Sequence, residues 1–108
     1  MQLNEYQELA MRTKGEYDGA TDQLVCAALG LAGEAGEFAD CIKKCIYQGH
    51  DFSHIEAVKE LGDICWYLAL ACDAIGIDLE TVMERNIEKL KARYPDGFEV
   101  EKSVGRTC

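Results

Sequence analysis

From Val58 to Ile75, apolar residues recur at Val58, Leu61, Cys65, Leu68, Cys72 and Ile75. The intervals alternate between three and four, the period of a helix that packs a stripe against a partner. Ile64, Trp66, Tyr67, Leu70 and Ala71 make the same stretch apolar nearly all round. A helix of that kind is surrounded by other helices. A chain of 108 residues has few helices to do the surrounding, so the segment predicts a helical bundle completed as a homo-oligomer. The longest wholly apolar run, Ile64 to Cys72, has nine residues and ends at Asp73. That falls short of the ~20 needed to cross a bilayer.

The rest of the chain agrees with an all-α, four-helix-bundle-like single domain over residues 1–108. Only Pro95 interrupts it, and alternating β-branched runs are nearly absent. A first helix is expected over residues 4–14, capped by Asn4 with Gln7 three residues on. Gly15 to Gly19 reads as a loop. A second helix is expected from Thr21 as N-cap to about Gln48, with Gly49 as its stop. Gly30, Gly33 and Gly36 weaken that helix, which suggests that a neighbouring backbone or a ligand packs closely there. Ser53 with Glu56 forms a capping-box signature for a third helix. A fourth helix starts at Asp78 and ends near Tyr94, with Met83, Ile87, Leu90 and Tyr94 as its buried stripe. Residues 98–108 read as a polar tail without firm structure.

Eleven basic against twenty acidic residues give a net charge of −9. That balance disfavours a nucleic-acid polymer or a membrane surface as partner. An anionic ligand such as a phosphate would need a cation as mediator. The N-terminus shows no basic segment followed by an apolar one, so a cytoplasmic location is expected. The cysteines at 26, 41, 45, 65, 72 and 108 contain no CxxC and read as small apolar residues rather than a disulfide framework. A zinc site from Cys41, Cys45, His50 and His54 is the minor reading.

The chemistry concentrates in carboxylates. Glu34 and Glu37 lie three apart on the second helix, and Glu60 and Asp63 repeat the spacing on the third. Side chains three apart share a helix face. The 22 residues between Glu37 and Glu60 suffice to end one helix and return antiparallel. Two facing pairs then form one cluster. Four unneutralised carboxylates would repel, whereas a hard cation with oxygen ligands, Mg²⁺ or Mn²⁺, removes that penalty. Solvated surface acids are the plain alternative, but the glycine-flanked, apolar setting favours the cation. On the fourth helix Asn86, Lys89 and Arg93 form one polar stripe, either a solvated face or the phosphate-holding side of the same site. Lys44 extends the line of Glu34 and Glu37. It is placed to reach a phosphate or to pair with Asp40.

Gly30-Leu31-Ala32-Gly33-Glu34-Ala35-Gly36-Glu37, Glu60-Leu61-Gly62-Asp63, Asn86-Ile87-Glu88-Lys89-Leu90 and Arg93-Tyr94-Pro95-Asp96-Gly97-Phe98 occur in this order. Together they resemble the MazG-like nucleoside triphosphate pyrophosphohydrolases of the all-α NTP pyrophosphatase superfamily. The resemblance implies a dimer or tetramer and Mg²⁺-dependent cleavage between the α and β phosphates of an NTP or dNTP, giving NMP and pyrophosphate. It implies Glu34, Glu37, Glu60 and Asp63 as metal ligands, with Glu37 also directing the attacking water. It further implies Asn86, Lys89 and Arg93 as holders of the triphosphate, with Tyr94 lining the site. The alternatives are a non-catalytic helical protein that binds nucleotides or a partner, and a hydrolase of another phosphate ester.

Overall fold

The computed structural model describes residues 1–106. Five helices follow one another: α1 (Leu3–Met11), α2 (Ala20–Tyr47), α3 (His54–Ile75), α4 (Leu79–Arg93) and α5 (Val100–Val104). The described residues contain no strand, so the fold is all-α.

The frame is an antiparallel hairpin of α2 and α3. Its register pairs Gln23 with Asp73, Gly30 with Tyr67, and Glu37 with Glu60. Ala27, Ala69 and Leu70 are fully buried along it. Gly30 is where the helices need glycine, because a Cβ there would fall on the Tyr67 ring. Gly33 and Gly36 have open space instead, so the close packing expected at them is absent within this chain.

The buried stripe of α3 keeps Cys72 of the expected seam, which is buried, but otherwise departs from the one its strongest periodicity marks. Val58 is 54% exposed, Leu61 46% and Ile75 61%, while Glu60, Tyr67 and Leu70 face α2. The stripe is rotated by one residue, about 100°. A helix apolar nearly all round offers two candidate seams, and the small residues of α2 select between them. Part of the other seam, Cys65 and Leu68, borders a cavity with Tyr6 of α1 and with Leu79 and Met83 of α4.

Side chains bind α1 across the body. The Trp66 indole N–H donates to Thr13 Oγ1 at 2.8 Å and to the Ala10 carbonyl at 3.2 Å. The Gln7 carboxamide clamps the α3–α4 turn, donating to the Ile77 carbonyl at 3.2 Å and accepting from the Leu79 N–H at 2.7 Å. Gln7 is therefore a tertiary clamp rather than a capping partner. Asn4 donates to Glu80 at 3.0 Å, and the cap of α1 falls on Gln2, whose N–H reaches Glu5.

Other ends shift by a residue or two. The N-cap of α2 is Gly19, with φ of 126°, rather than Thr21. Ser53 caps α3 as its sequence predicts, its hydroxyl accepting the Glu56 N–H at 3.2 Å. Residues 100–104, read as unstructured, form α5. Among the described residues, no helix is long and apolar enough to cross a membrane.

The chain is loosely closed. Its accessible surface is 7880 Å², against about 6,000 Å² for a compact monomer of this mass. The radius of gyration is 16.9 Å, where about 13 Å is usual. Met83, Ile87 and Leu90, three of the four residues of the expected core stripe of α4, are 39%, 49% and 40% exposed.

Candidate metal centre

Glu34 and Glu37 project from the middle of α2, and Glu60 from the facing turn of α3. One carboxylate oxygen from each lies within 4.8 Å of the other two. Glu34 Oε2 and Glu60 Oε2 are buried and have no hydrogen-bond partner. Orphaned buried acceptors are costly, and two of them aimed into one cluster of like charges need a compensating positive charge. Burial, followed by the close approach of the Glu34 carboxylate, raises the Glu60 pKa above its ordinary value. An oxygen-only donor set of this size fits a hard divalent cation such as Mg²⁺ or Mn²⁺.

Asp63 stands apart from this trio. It lies on α3 three residues beyond Glu60, is exposed, and adds a smaller charge effect to Glu60. Lys44 is engaged elsewhere, its ammonium 2.9 Å from Asp40. Lys43 joins the same carboxylate at 3.1 Å, and the two lysines hold the Asp40 pKa down. The fourth-helix stripe is not assembled with the acids. Among the described residues, Asn86, Lys89 and Arg93 form no hydrogen bond or ion pair to Glu34, Glu37 or Glu60, and α4 packs on α1 and α3. Tyr94 packs its ring on Phe98, with centroids 5.3 Å apart.

The zinc reading does not hold together. Among the described residues the glutamate trio is the group whose metal-ligating atoms converge, and Cys41, Cys45, His50 and His54 do not. Cys72 is buried, Cys26, Cys41 and Cys45 are half-buried, Cys65 is exposed, and all five are free thiols. Cys108 lies outside the described residues.

Sequence reasoning missed a second polar constellation, at the opposite end of the hairpin. The Lys14 ammonium lies 2.6 Å from Asp73, and the buried Gln23 donates to Asp73 at 2.8 Å and to the Leu70 carbonyl at 3.1 Å. Lys14 and then Gln23 depress the Asp73 pKa. The one available signal was Gln23 on the inward face of α2, a polar residue amid apolar ones.

An all-α hairpin carrying three convergent glutamates, two of them with a buried and unpartnered oxygen, defines a class of helical protein with a candidate metal centre. Comparison with known families narrows it. Residues 25–98 match the MazG nucleotide pyrophosphohydrolase domain, and the chain belongs to that family. It is similar to the Gene 37 protein of Mycobacterium phage L5, at 34% identity over 106 residues, covering 90% of this chain and 92% of the relative. No solved structure matches.

Proposed function

We propose that the protein is a cytoplasmic, Mg²⁺-dependent nucleoside triphosphate pyrophosphohydrolase that cleaves between the α and β phosphates of an NTP or dNTP. The products are a nucleoside monophosphate and pyrophosphate. The observation that carries this reading is the trio Glu34, Glu37 and Glu60, with two orphaned oxygens, inside the segment that matches the family.

Glu34, Glu37 and Glu60 would hold the cation, with Asp63 joining after a side-chain rotation. When bound, the cation neutralises phosphate charge and lowers the cost of the developing negative charge on the leaving pyrophosphate. Glu37 is the exposed member of the trio and so is the one open to solvent. Its carboxylate orients the attacking water and accepts a proton as the bond to the α-phosphorus forms. Glu34 Oε2 and Glu60 Oε2 are buried, which restricts their movement.

Asn86, Lys89, Arg93 and Tyr94 would hold the triphosphate. They lie on the loosely attached α4, so a homo-oligomer is part of the proposal. The surface excess of about 1,900 Å² over a compact monomer exceeds the ~800 Å² that each partner buries in a standard interface.

The test is pyrophosphate release from a panel of NTPs and dNTPs, with Mg²⁺ and with EDTA. Mg²⁺-dependent release together with NMP supports the reading. Release of phosphate alone would overturn the cleavage position. Glu37→Gln is expected to abolish turnover while leaving the melting temperature unchanged or raised, and full activity in that variant would refute its role.

A further inference from the structure

A second cavity adjoins the glutamate trio along the hairpin. It has a volume of about 180 Å³ and lies between the last turns of α2 and the 48–53 connection. Cys41 and Cys45 supply its α2 wall, His50 and Phe52 its loop wall, and Glu56 its α3 side. Cys41 follows Glu37 by four residues and Glu56 precedes Glu60 by four. Because the helices are antiparallel, both steps run the same way, about 6 Å along each axis.

The cavity therefore begins one helical turn from the carboxylates. Its walls are mostly apolar, and its polar lining is the His50 imidazole, the Ser53 hydroxyl, the Asp51 and Glu56 carboxylates, and Lys44, whose ammonium is paired with Asp40. By liquid volume it holds about six waters, the scale of one heterocycle rather than of a whole nucleotide. Phe52 sits on the loop with 57% of its surface exposed, an aromatic face that no core within this chain covers.

We infer that this cavity receives the nucleobase of the substrate, with Phe52 as the stacking face and His50 at the base edge. The inference rests on the hydrolase reading for the position of the phosphates. With the α-phosphate at the glutamates, the sugar spans the intervening turn and the base enters between Cys41 and Phe52. The opposite cavity, beside Lys14 and Asp73, is less suited, because Gln23 already ties Asp73 and Leu70 together there.

The test separates the two readings by omitting the phosphates. Canonical ribo- and deoxyribonucleosides are titrated one at a time into the ¹⁵N-labelled protein, and inorganic pyrophosphate with Mg²⁺ is titrated separately. At least one nucleoside is expected to move the amides of residues 41–45 and 50–53, while pyrophosphate moves those of residues 34–37 and 60–63. Phe52→Ala is expected to weaken nucleoside binding and raise the nucleotide KM by ~5- to 150-fold. Phe52→Trp should restore both, and Tyr47→Ala, on an exposed aromatic outside the cavity, should change neither. Nucleosides that leave residues 41–53 unmoved, or an unchanged KM in an active Phe52→Ala enzyme, would overturn the inference and leave the hydrolase reading intact. Nucleoside shifts here in a protein that releases no pyrophosphate would uphold the pocket and remove the hydrolase reading.

Discussion

The three glycines of α2 should respond to alanine with opposite signs. At Gly30 a methyl group would meet Cδ1, Cε1 and Cζ of Tyr67. That ring cannot simply swing aside. It stands edge-on to Trp66, with centroids 5.0 Å apart at 87°, and the Trp66 indole is tied to Thr13 and Ala10. Overpacking against a fixed ring costs ~1–3 kcal/mol, and the better helix propensity of alanine offsets up to ~1 kcal/mol. Gly30→Ala is thus expected to lose up to ~2 kcal/mol. At Gly33 and Gly36 no atom lies within 4 Å of the added methyl, so each substitution should gain ~0.5–1 kcal/mol. For a domain of this size 1 kcal/mol moves Tm by ~4–8 °C. Thermal unfolding followed by circular dichroism, at one protein concentration, should rank Gly33→Ala and Gly36→Ala above the parent and Gly30→Ala below it. A Gly30→Ala protein that melts at or above the parent would refute the packing of Tyr67 on Gly30. A loss at Gly33 or Gly36 would refute the claim that those positions are open, and would place a second copy against them.

Three further outcomes follow from the charges and the exposed seam. Lys14 and Gln23 favour ionised Asp73, so that stabilisation is present above the ordinary aspartate pKa of about 3.9 and is lost as pH falls below it. Asp73→Asn should therefore melt lower than the parent at pH 7, by the ~0.5–1 kcal/mol of a part-exposed ion pair, with the gap closing below about pH 4. Glu60 has the opposite sign. Its folded carboxyl keeps its proton more tightly, so the metal-free protein loses stability as pH rises through and above the ordinary glutamate range. Glu60→Gln should melt above the metal-free parent at pH 8 and lack the Mg²⁺-induced rise in Tm expected of the parent, as differential scanning fluorimetry would read. Leu61→Glu, on the open α3 seam, should shift light scattering from an oligomer to a monomer at micromolar concentration. A parent that is already monomeric would refute the assembly.

Much of the architecture follows from local rules. Helix content, the hairpin connection and the Ser53 cap follow from propensity, spacing and capping chemistry, which act within a few residues. The convergence of Glu34, Glu37 and Glu60 was also legible, because three-residue spacing fixes a helix face and the short connection forces an antiparallel return. What local rules could not decide is which side of α3 meets α2. The helix is apolar on both candidate stripes, and the choice rests on the room that Gly30 and Ala27 leave for Tyr67 and Leu70. That rotation of about 100° brings Glu60 onto α2, leaves Val58 and Leu61 in solvent, and keeps Asp63 outside the trio. The partners of Gln7 and Gln23 were likewise decided in three dimensions, whereas the Lys44–Asp40 pair is a local i,i+4 contact that the sequence already offered. A carboxamide can serve a cap, a ligand or a tertiary clamp equally well, and only the neighbours that the fold brings within hydrogen-bond distance select among them.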